Sequence, residues 1–339
     1  MVPWNDNHRA DATAPSMEGC VMERTEICVG TRGSALARTQ TGWVVDQFRS
    51  RGHEVTVELV STRGDVVTDV PIAAIRGGDG VFVRELERAL LEGRIDAAVH
   101  SLKDLPTAVT PGLELASVPL RASPFDAFVG RTSPTIDQLP PRAVVGTSSI
   151  RRVMQLKARR PDLDFRSVRG NVDTRLRRLD EGECDGLILA AAGLGRLGLE
   201  QRITEVLRPE SFWPAVAQGA LIVQIRSGDA RMAAIVGEID DPSSHAAVEA
   251  ERACLAGLAG GCLAPIGAWA RFEGDRLHLG ACVLGPDGDG IERIVSRAVA
   301  DAAESPDRLG RRVAEALRGQ GADRMLEAAR QAESLRRQA

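Results

Sequence analysis

A lysine and an aspartate stand side by side where an apolar stretch of the chain ends. In 98-AVHSLKDLP-106, residues of the buried type lead directly into Lys103 and Asp104, and Pro106 ends the segment. A carboxylate at the end of a strand can stabilise a developing positive charge or move protons to and from a nitrogen. The alternative is an ordinary surface turn, so the interpretation depends on which other residues converge on Asp104.

Two turns of similar sequence each lead from a predicted strand into a predicted helix. The first reads GTRGSAL from residue 30, and the second reads GTSSIRR from residue 146. Backbone N–H groups at a helix N-terminus attract anions, and small residues let an anion approach them. Arg32 in the first turn and Arg151 with Arg152 in the second would add forked donors for carboxylates. For either turn alone, helix capping by Ser34 or Ser149 with solvated arginines is the alternative.

A further basic segment, 166-RSVRGNVDTRLRR-178, follows the second turn. Arg169 precedes a Gly-Asn turn, and Arg175 lies about one helical turn after Asn171, the expected helix cap. Both would lie at the edge where the strands end, which is where ligands bind in open α/β sheets. A solvated helix face explains Arg177 and Arg178, but it does not explain Arg169.

One cysteine lies in a segment whose sequence favours an accessible, reactive thiol. In 260-GGCLAP-265, Cys262 follows two glycines and precedes a proline, so we expect it on a loop with an accessible thiol. Such a thiol suits covalent attachment or nucleophilic chemistry. No His–Cys pairing is evident, so a cysteine hydrolase is not expected. The other cysteines show no metal-ligand spacing and are typical of reduced thiols in the cytoplasm.

Composition limits the classes of protein that the chain can belong to. A net charge of −4 argues against a general binder of nucleic acid or membrane surfaces. The basic stretch 142–178 in a mildly acidic chain instead indicates a discrete anionic ligand. No apolar run is long enough to span a membrane, and the polar N-terminus lacks the apolar core of a signal peptide. We therefore expect a cytoplasmic protein.

The elements that would position these residues form three units. From Ile27, strands and helices alternate in a βαβαβ pattern that predicts a largely parallel sheet, and a similar unit begins at Arg142. The two alike opening turns indicate an internal repeat, with two α/β domains facing each other across a cleft. A helix, three strands and two more helices then predict a small α+β domain. The predicted boundaries are a disordered leader at 1–25, domain 1 at 26–121 and 215–240, domain 2 at 122–214, and domain 3 at 241–339.

Taken together, these motifs resemble the porphobilinogen deaminase family, also called the hydroxymethylbilane synthases. The resemblance covers nearly the whole chain from Ile27 onward. It rests on ordered blocks: TRGSALA, STRGD, GVFVRELERALLEGRIDAAVHSLKDLPT, VVGTSSIRR, RRPDLDFRSVRGNVDTRL, LAAAGLGRLGL, PAVAQGA and GGCLAPIGA. It implies two α/β domains like those of periplasmic binding proteins and a small α+β C-terminal domain.

The resemblance also implies a transferase activity. Members of the family join four porphobilinogen units head to tail, release ammonia at each condensation and yield hydroxymethylbilane for tetrapyrrole and heme biosynthesis. The primer is a dipyrromethane cofactor, expected here on a thioether to Cys262. Asp104 is expected to contact pyrrole nitrogens and assist deamination and condensation. A monomer with porphobilinogen as its partner is implied, with no nucleic-acid or membrane partner.

The expected site residues follow from the same resemblance. Those matching cofactor-binding positions are Cys262, Lys103, Asp104, Ser149, Arg151, Arg152, Arg169 and Gln218. Those matching substrate-binding positions are Arg32, Ser34, Arg169, Arg175 and Arg196. Residues that depart from the usual family pattern are Asp79, Arg84, Phe125 and Ala217. The alternatives are a divergent paralogue in a specialised pathway and a non-catalytic binding module for tetrapyrroles or small carboxylates.

Overall fold

A computed structural model describes residues 26–60, 83–259, 264–287 and 290–338, with side chains given as far as residue 332. Within these ranges the strands form two five-stranded sheets and one three-stranded sheet. The first sheet contains β1 (Glu26–Thr31), β2 (Glu54–Leu59), β3 (Ala97–Ser101), β4 (Leu113–Ser117) and β10 (Leu221–Arg226). The second contains β5 (Asp126–Gly130), β6 (Val144–Gly146), β7 (Asp164–Arg166), β8 (Gly186–Ala190) and β9 (Glu205–Leu207). The third contains β11 (Ile266–Glu273), β12 (Arg276–Asp287) and β13 (Gly290–Val299).

Helices pack against all three sheets. Their bounds are α1 (Ala35–Ser50), α2 (Arg84–Leu91), α3 (Ile150–Arg159), α4 (Val172–Asp180), α5 (Ala191–Arg196), α6 (Ala230–Gly237), α7 (Pro242–Gly257), α8 (Pro306–Gly319) and α9 (Ala322–Gln338). The combination of two α/β units with a small α+β unit confirms the predicted fold class. In the part of the chain that the structure describes, no helix has the length and apolar character needed to cross a membrane.

The first sheet is mixed rather than largely parallel. Its strand order is β2-β1-β3-β10-β4; β1 runs parallel to β2 and β3, whereas β10 runs antiparallel to β3 and β4. The reason is topological, because the chain returns from the second unit at the end of the sheet where β3 finishes. A strand that enters at that end must run against β3.

The second sheet repeats this arrangement. Its order is β7-β6-β8-β5-β9, with β6 parallel to β7 and β8, and with β5 antiparallel to β8 and β9. The repeat predicted from the two opening turns is therefore present in the topology. In both units the opening turn follows the central strand of the parallel trio, β1 or β6, so each turn lies at the carboxyl edge of its sheet.

Local sequence explains the first of these helices. Ser34 caps α1 by accepting a hydrogen bond from the Ala37 N–H at 3.3 Å, which satisfies one donor of the first turn. Val44, Val45 and Phe48 then face the sheet and are buried. Burying each such side chain contributes roughly 1.5–3 kcal/mol, so the apolar face of α1 fixes it on β1 and β3 and fixes the turn before it.

Trp213 joins the second unit to the third. The backbone N–H of Trp213 donates to Gln155 Oε1 at 2.6 Å, and the backbone carbonyl of Trp213 accepts from Gln155 Nε2 at 3.0 Å. These two bonds attach Trp213 to α3. Its ring lies on β12, where a Cβ added to Gly280 would come within 2.5 Å of Trp213 Cη2. Gly280 is therefore the residue that lets the indole pack against the third sheet.

Candidate active site

The Lys103–Asp104 pair lies on a single 3-10 turn, Leu102–Asp104, directly after β3. Leu102 is buried and its N–H donates to the Ala220 carbonyl at 3.1 Å, which anchors the turn beside β10. Asp104 is exposed, and its carboxylate makes no hydrogen bond or ion pair with any other residue described. The turn thus presents a carboxylate that no other described residue engages by a hydrogen bond or an ion pair.

Lys103, unlike its exposed neighbour, is partly buried. Burial lowers the pKa of Lys103 to about 8, and the adjacent Asp104 carboxylate opposes that shift. Its Nζ lies 3.4 Å from Gln218 Oε1. An amine with this pKa is mostly charged at neutral pH and loses its proton in mildly alkaline solution.

Two arginines of the second unit, Arg152 and Arg175, interact electrostatically with the Asp104 carboxylate. Burial lowers the pKa of Arg175 to about 10; Arg152 adds to that shift, and the Asp104 carboxylate opposes it. The pKa of Arg152 is likewise lowered by burial, and Asp104 is among the groups that oppose the change. Such coupling falls off with distance, so α3 and α4 bring their guanidinium groups near the end of β3.

Three of the expected arginines have no acidic partner in the described part of the chain: Arg169, Arg175 and Arg196. Each donates instead to a neutral oxygen, at 3.4, 2.8 and 2.7 Å respectively. Burial lowers the pKa of Arg196 to about 10. Partly buried guanidinium groups without a carboxylate partner suit an anionic ligand that carries carboxylates of its own.

Arg151 and Arg152, by contrast, are buried partners of Asp126. Arg152 Nε and Nη2 lie 3.0 and 2.6 Å from Asp126 Oδ1, and Arg151 Nη1 lies 2.8 Å from Oδ2. Arg151 also donates to the Trp213 carbonyl, and Arg152 Nη1 donates to the Ile188 carbonyl at 2.8 Å. Both were predicted as ligands, and the structure shows that much of their donor capacity is used within the protein.

Asp126 is a residue of this site that sequence reasoning missed. It is fully buried at the first position of β5. Burial alone would raise the pKa of Asp126, but Arg151 and Arg152 outweigh that effect and hold it well below its usual range. The available signal was an aspartate opening an apolar strand, because a buried acid requires a cationic partner.

Gln218 connects the two units. Its Nε2 donates to the Pro124 carbonyl at 2.8 Å and to Asp126 Oδ1 at 3.1 Å, while its Oε1 faces Lys103. The preceding residue, Ala217, has a φ of 57°, in the left-handed region that favours glycine. Such a conformation persists where surrounding contacts determine it.

The two opening turns differ in what their serines do. Ser34 caps α1, whereas Ser149, at the N-cap of α3, makes no capping bond with its side chain. Arg32 lies near His100, because it contributes to lowering the pKa of that buried histidine to about 4; burial is the larger cause and a Gln224 hydrogen bond opposes it. The first turn therefore lies near β3, the strand that leads into Lys103.

Four residues remain: Cys262, expected to carry the cofactor, and three that depart from the usual family pattern, Asp79, Arg84 and Phe125. Cys262 and Asp79 lie outside the described residues. Phe125 packs edge-on against Trp269, with ring centroids 5.4 Å apart, so it belongs to the junction with the third unit. Arg84 is the first residue of α2. Within the described ranges, no group of three or more His, Cys, Asp or Glu residues is placed to hold a metal ion.

The chain was compared with protein-family models, with known proteins and with solved structures. Residues 27–234 match the family model described as "Porphobilinogen deaminase, dipyromethane cofactor binding domain", and residues 245–319 match "Porphobilinogen deaminase, C-terminal domain". A porphobilinogen deaminase from Roseiflexus castenholzii is 47% identical over 89% of this chain and 99% of its own length. One from Desulforudis audaxviator is 46% identical over 89% and 97%. Among solved structures, a putative methionine-binding lipoprotein from Bacillus subtilis is 15% identical, with a TM-score of 0.40 over 63% of this chain and 90% of that one.

Proposed function

Because the chain belongs to the porphobilinogen deaminase family, we propose that it is a transferase that condenses porphobilinogen units head to tail into hydroxymethylbilane. Ammonia is lost at each condensation. The observation that carries the proposal is the position of Asp104, an exposed carboxylate that approaches Arg152 and Arg175 of the second unit.

The arginines are the residues proposed to bind the substrate. Porphobilinogen carries an acetate and a propionate, so a growing chain of such units accumulates negative charge. Arg169, Arg175 and Arg196 offer forked donors that no described carboxylate occupies. Arg32 and Ser34, on the opening turn of the first unit, would bind carboxylates from the opposite side.

Asp104 is the proposed catalytic residue. A positive charge develops on the substrate pyrrole as its amino group leaves, and a fixed carboxylate stabilises such a charge. The same carboxylate can take or return a proton at a pyrrole nitrogen. Its exposure matters, because a carboxylate with internal partners would have to break them in order to act on the substrate.

The chain's residues fit a carboxylated pyrrole cofactor, because a neutral ligand would leave the arginines without anions. A dipyrromethane attached through a thioether to Cys262 would supply the primer pyrroles. The residues proposed to hold it are Lys103, Asp104, Ser149, Arg151, Arg152, Arg169 and Gln218. Arg151 and Arg152 would contribute the N–H groups that Asp126 leaves available.

A cytoplasmic monomer is part of the proposal. The described cysteines that are free, Cys28, Cys184, Cys254 and Cys282, support a reducing compartment. Sedimentation equilibrium measures the mass in solution directly, and a stable dimer would contradict the monomer.

Intact-protein mass spectrometry tests the function. Protein made in cells that supply porphobilinogen is expected to carry a dipyrromethane adduct on a Cys262 peptide and to consume porphobilinogen. Cys262→Ala is expected to lose both, whereas Cys28→Ala, the matched control, is expected to keep both. An unmodified and inactive wild-type protein would overturn the proposal and favour a binding module.

A further inference from the structure

The orientation of the Gln218 amide is fixed by the second unit. Both hydrogens of Nε2 are used, one on the Pro124 carbonyl at 2.8 Å and one on Asp126 Oδ1 at 3.1 Å. Gln218 is fully buried, so water does not compete for these bonds. With its nitrogen held there, the amide oxygen must point the opposite way, and it lies 3.4 Å from Lys103 Nζ.

Asp126 is the acceptor on which this arrangement depends. Its Oδ1 receives Arg152 Nε, Arg152 Nη2 and Gln218 Nε2, at 3.0, 2.6 and 3.1 Å. Its Oδ2 faces Arg151 Nη1 at 2.8 Å. One carboxylate therefore fixes two guanidinium groups of α3 and the amide between the two α/β units.

We propose that Asp126 is a positioning residue of the active site: by holding Gln218, Arg151 and Arg152, it directs the Gln218 oxygen to Lys103 and compensates the charge of the two arginines beside it. Asp126 touches neither substrate nor cofactor in this role. Asp104 is exposed with no hydrogen bond or ion pair to another described residue, whereas Asp126 is buried, with Oδ1 accepting three hydrogen bonds and Oδ2 lying 2.8 Å from Arg151 Nη1.

The charges around Lys103 give this role a measurable effect. The groups that act on the Lys103 amine are Asp104 and Asp126, which favour the charged form, and Arg152 and Arg151, which oppose it. Burial is the largest influence and lowers the pKa of Lys103 to about 8. Replacing Asp126 by asparagine would remove one favourable charge and leave both arginines uncompensated, so the pKa of Lys103 would fall further.

The chain's composition makes that change easy to observe. Lys103 and Lys157 are the only lysines in its 339 residues. An amine-reactive reagent such as acetic anhydride, used at trace level across a pH series, modifies only the neutral amine. Peptide mass spectrometry then reports Lys103, with Lys157 as the reference in the same molecule.

The expected result is specific to Asp126. In Asp126→Asn, labelling of Lys103 relative to Lys157 at pH 7 should rise by about fivefold if the Lys103 pKa falls from about 8 by one unit, and by at most about tenfold in all, because roughly a tenth of the wild-type amine is already neutral at that pH. The matched control is Asp185→Asn, which removes another paired carboxylate of the second unit, 3.0 Å from Arg131; it should leave Lys103 labelling unchanged. Intact mass confirms that the proteins compared carry the same modification.

A second variant covers the case in which Asp126→Asn does not fold. Gln218→Met keeps the Asp126 ion pairs but removes the oxygen that faces Lys103, so it should raise Lys103 labelling in the same direction and by less. A Lys103 profile like that of wild type in folded Asp126→Asn or in Gln218→Met overturns the proposal, and so does an equal shift in Asp185→Asn.

Enzyme activity gives a second readout, separate from labelling, and this readout rests on the proposed function. The alkaline limb of the pH–rate profile should move to lower pH in Asp126→Asn, and Asp126→Glu should restore it in part. A purely structural role would lower the amount of active protein without moving that limb. Because labelling needs no turnover, failure of the proposed function and failure of the Asp126 proposal give different results.

Discussion

Arg121 and Glu251 form a bidentate pair in the interior, with Arg121 Nη1 2.7 Å from Glu251 Oε1 and Nη2 3.1 Å from Oε2. Glu251, on α7 of the third unit, also accepts the N–H groups of Ala217 and Ala270 at 2.6 and 2.8 Å. Arg121 lies on the chain's first crossing between the α/β units, and Ala217 lies on the second. One carboxylate of the third unit thus holds both crossings.

Glu251→Gln is expected to destabilise the protein strongly. It leaves the buried Arg121 guanidinium without a counter-charge, and breaking a buried pair in this way costs about 3–5 kcal/mol. Urea unfolding measures the loss. The control is Glu292→Gln, whose partner Arg324 is mostly exposed and which should cost less than about 1 kcal/mol. Equal losses in the two variants would contradict the role given to Glu251.

Asp104→Asn is expected to abolish most of the activity and to leave the fold intact. Loss of a catalytic carboxylate typically lowers turnover by about a hundredfold or more. Because Asp104 is exposed and has no hydrogen bond within the described residues, stability should change by less than about 0.5 kcal/mol. Steady-state kinetics and thermal unfolding check the two halves. Asp46→Asn, on the exposed face of α1, should keep full activity; near-normal turnover in Asp104→Asn would refute the assignment.

The buried His100 is expected to make the free energy of unfolding decrease in acid. Burial, with Arg32 nearby, lowers its pKa to about 4, so below about pH 6.5 the unfolded chain binds a proton that the folded chain does not. Stability therefore falls as the pH drops from about 7 toward 4, by about 2 kcal/mol between pH 7 and pH 5 from this group.

The His100 effect is isolated by comparison with a variant. Urea unfolding of wild type and His100→Asn at both pH values should show a smaller decrease in the variant. The same decrease in both proteins would mean that other groups cause the acid sensitivity.

Gly280→Ala is expected to disturb the junction between the second and third units. The added methyl would lie 2.5 and 2.8 Å from two carbons of the Trp213 ring, so the indole must move. Such overpacking costs typically about 1–3 kcal/mol. The change should lower the thermal midpoint and alter tryptophan fluorescence.

The matched control for Gly280 lies in α1. A Cβ on Gly42 would meet nothing within 4 Å, and alanine is the better helix former by roughly 0.5–1 kcal/mol. Gly42→Ala should therefore stabilise the protein slightly. A neutral result for Gly280→Ala would show that the Trp213 contact is looser than its geometry indicates.

Much of the fold was predictable from local pattern. The βαβαβ pattern predicted from Ile27 onward corresponds to β1, α1, β2, α2 and β3, because burial on one face imposes a regular period on the sequence. The antiparallel direction of β10 was not predictable in this way, since it depends on where the chain re-enters the sheet. Sequence spacing carries no information about that.

The residues of the candidate site were predictable to the same extent: those with a local sequence signal were identified, and those defined by distant partners were not. Asp104, Arg169 and Arg175 stand out because polar residues at strand ends conflict with a simple turn or helix face. Asp126 gives little local signal, since its importance comes from Arg151, Arg152 and Gln218, which are 25 to 92 residues away in sequence and meet only after folding. Residues whose partners are distant require the structure.

The strand order also sets a sequence of events during synthesis. Every strand of the second sheet comes from one uninterrupted stretch, residues 126–207, whereas β10 occupies a place between β3 and β4 and is made only afterwards. As the chain leaves the ribosome from its N-terminus, the later-made unit can close its sheet first. Until residues 221–226 emerge, β3 has an unpaired edge, so the N-terminal unit must wait for the middle of the chain to be translated before it can finish folding.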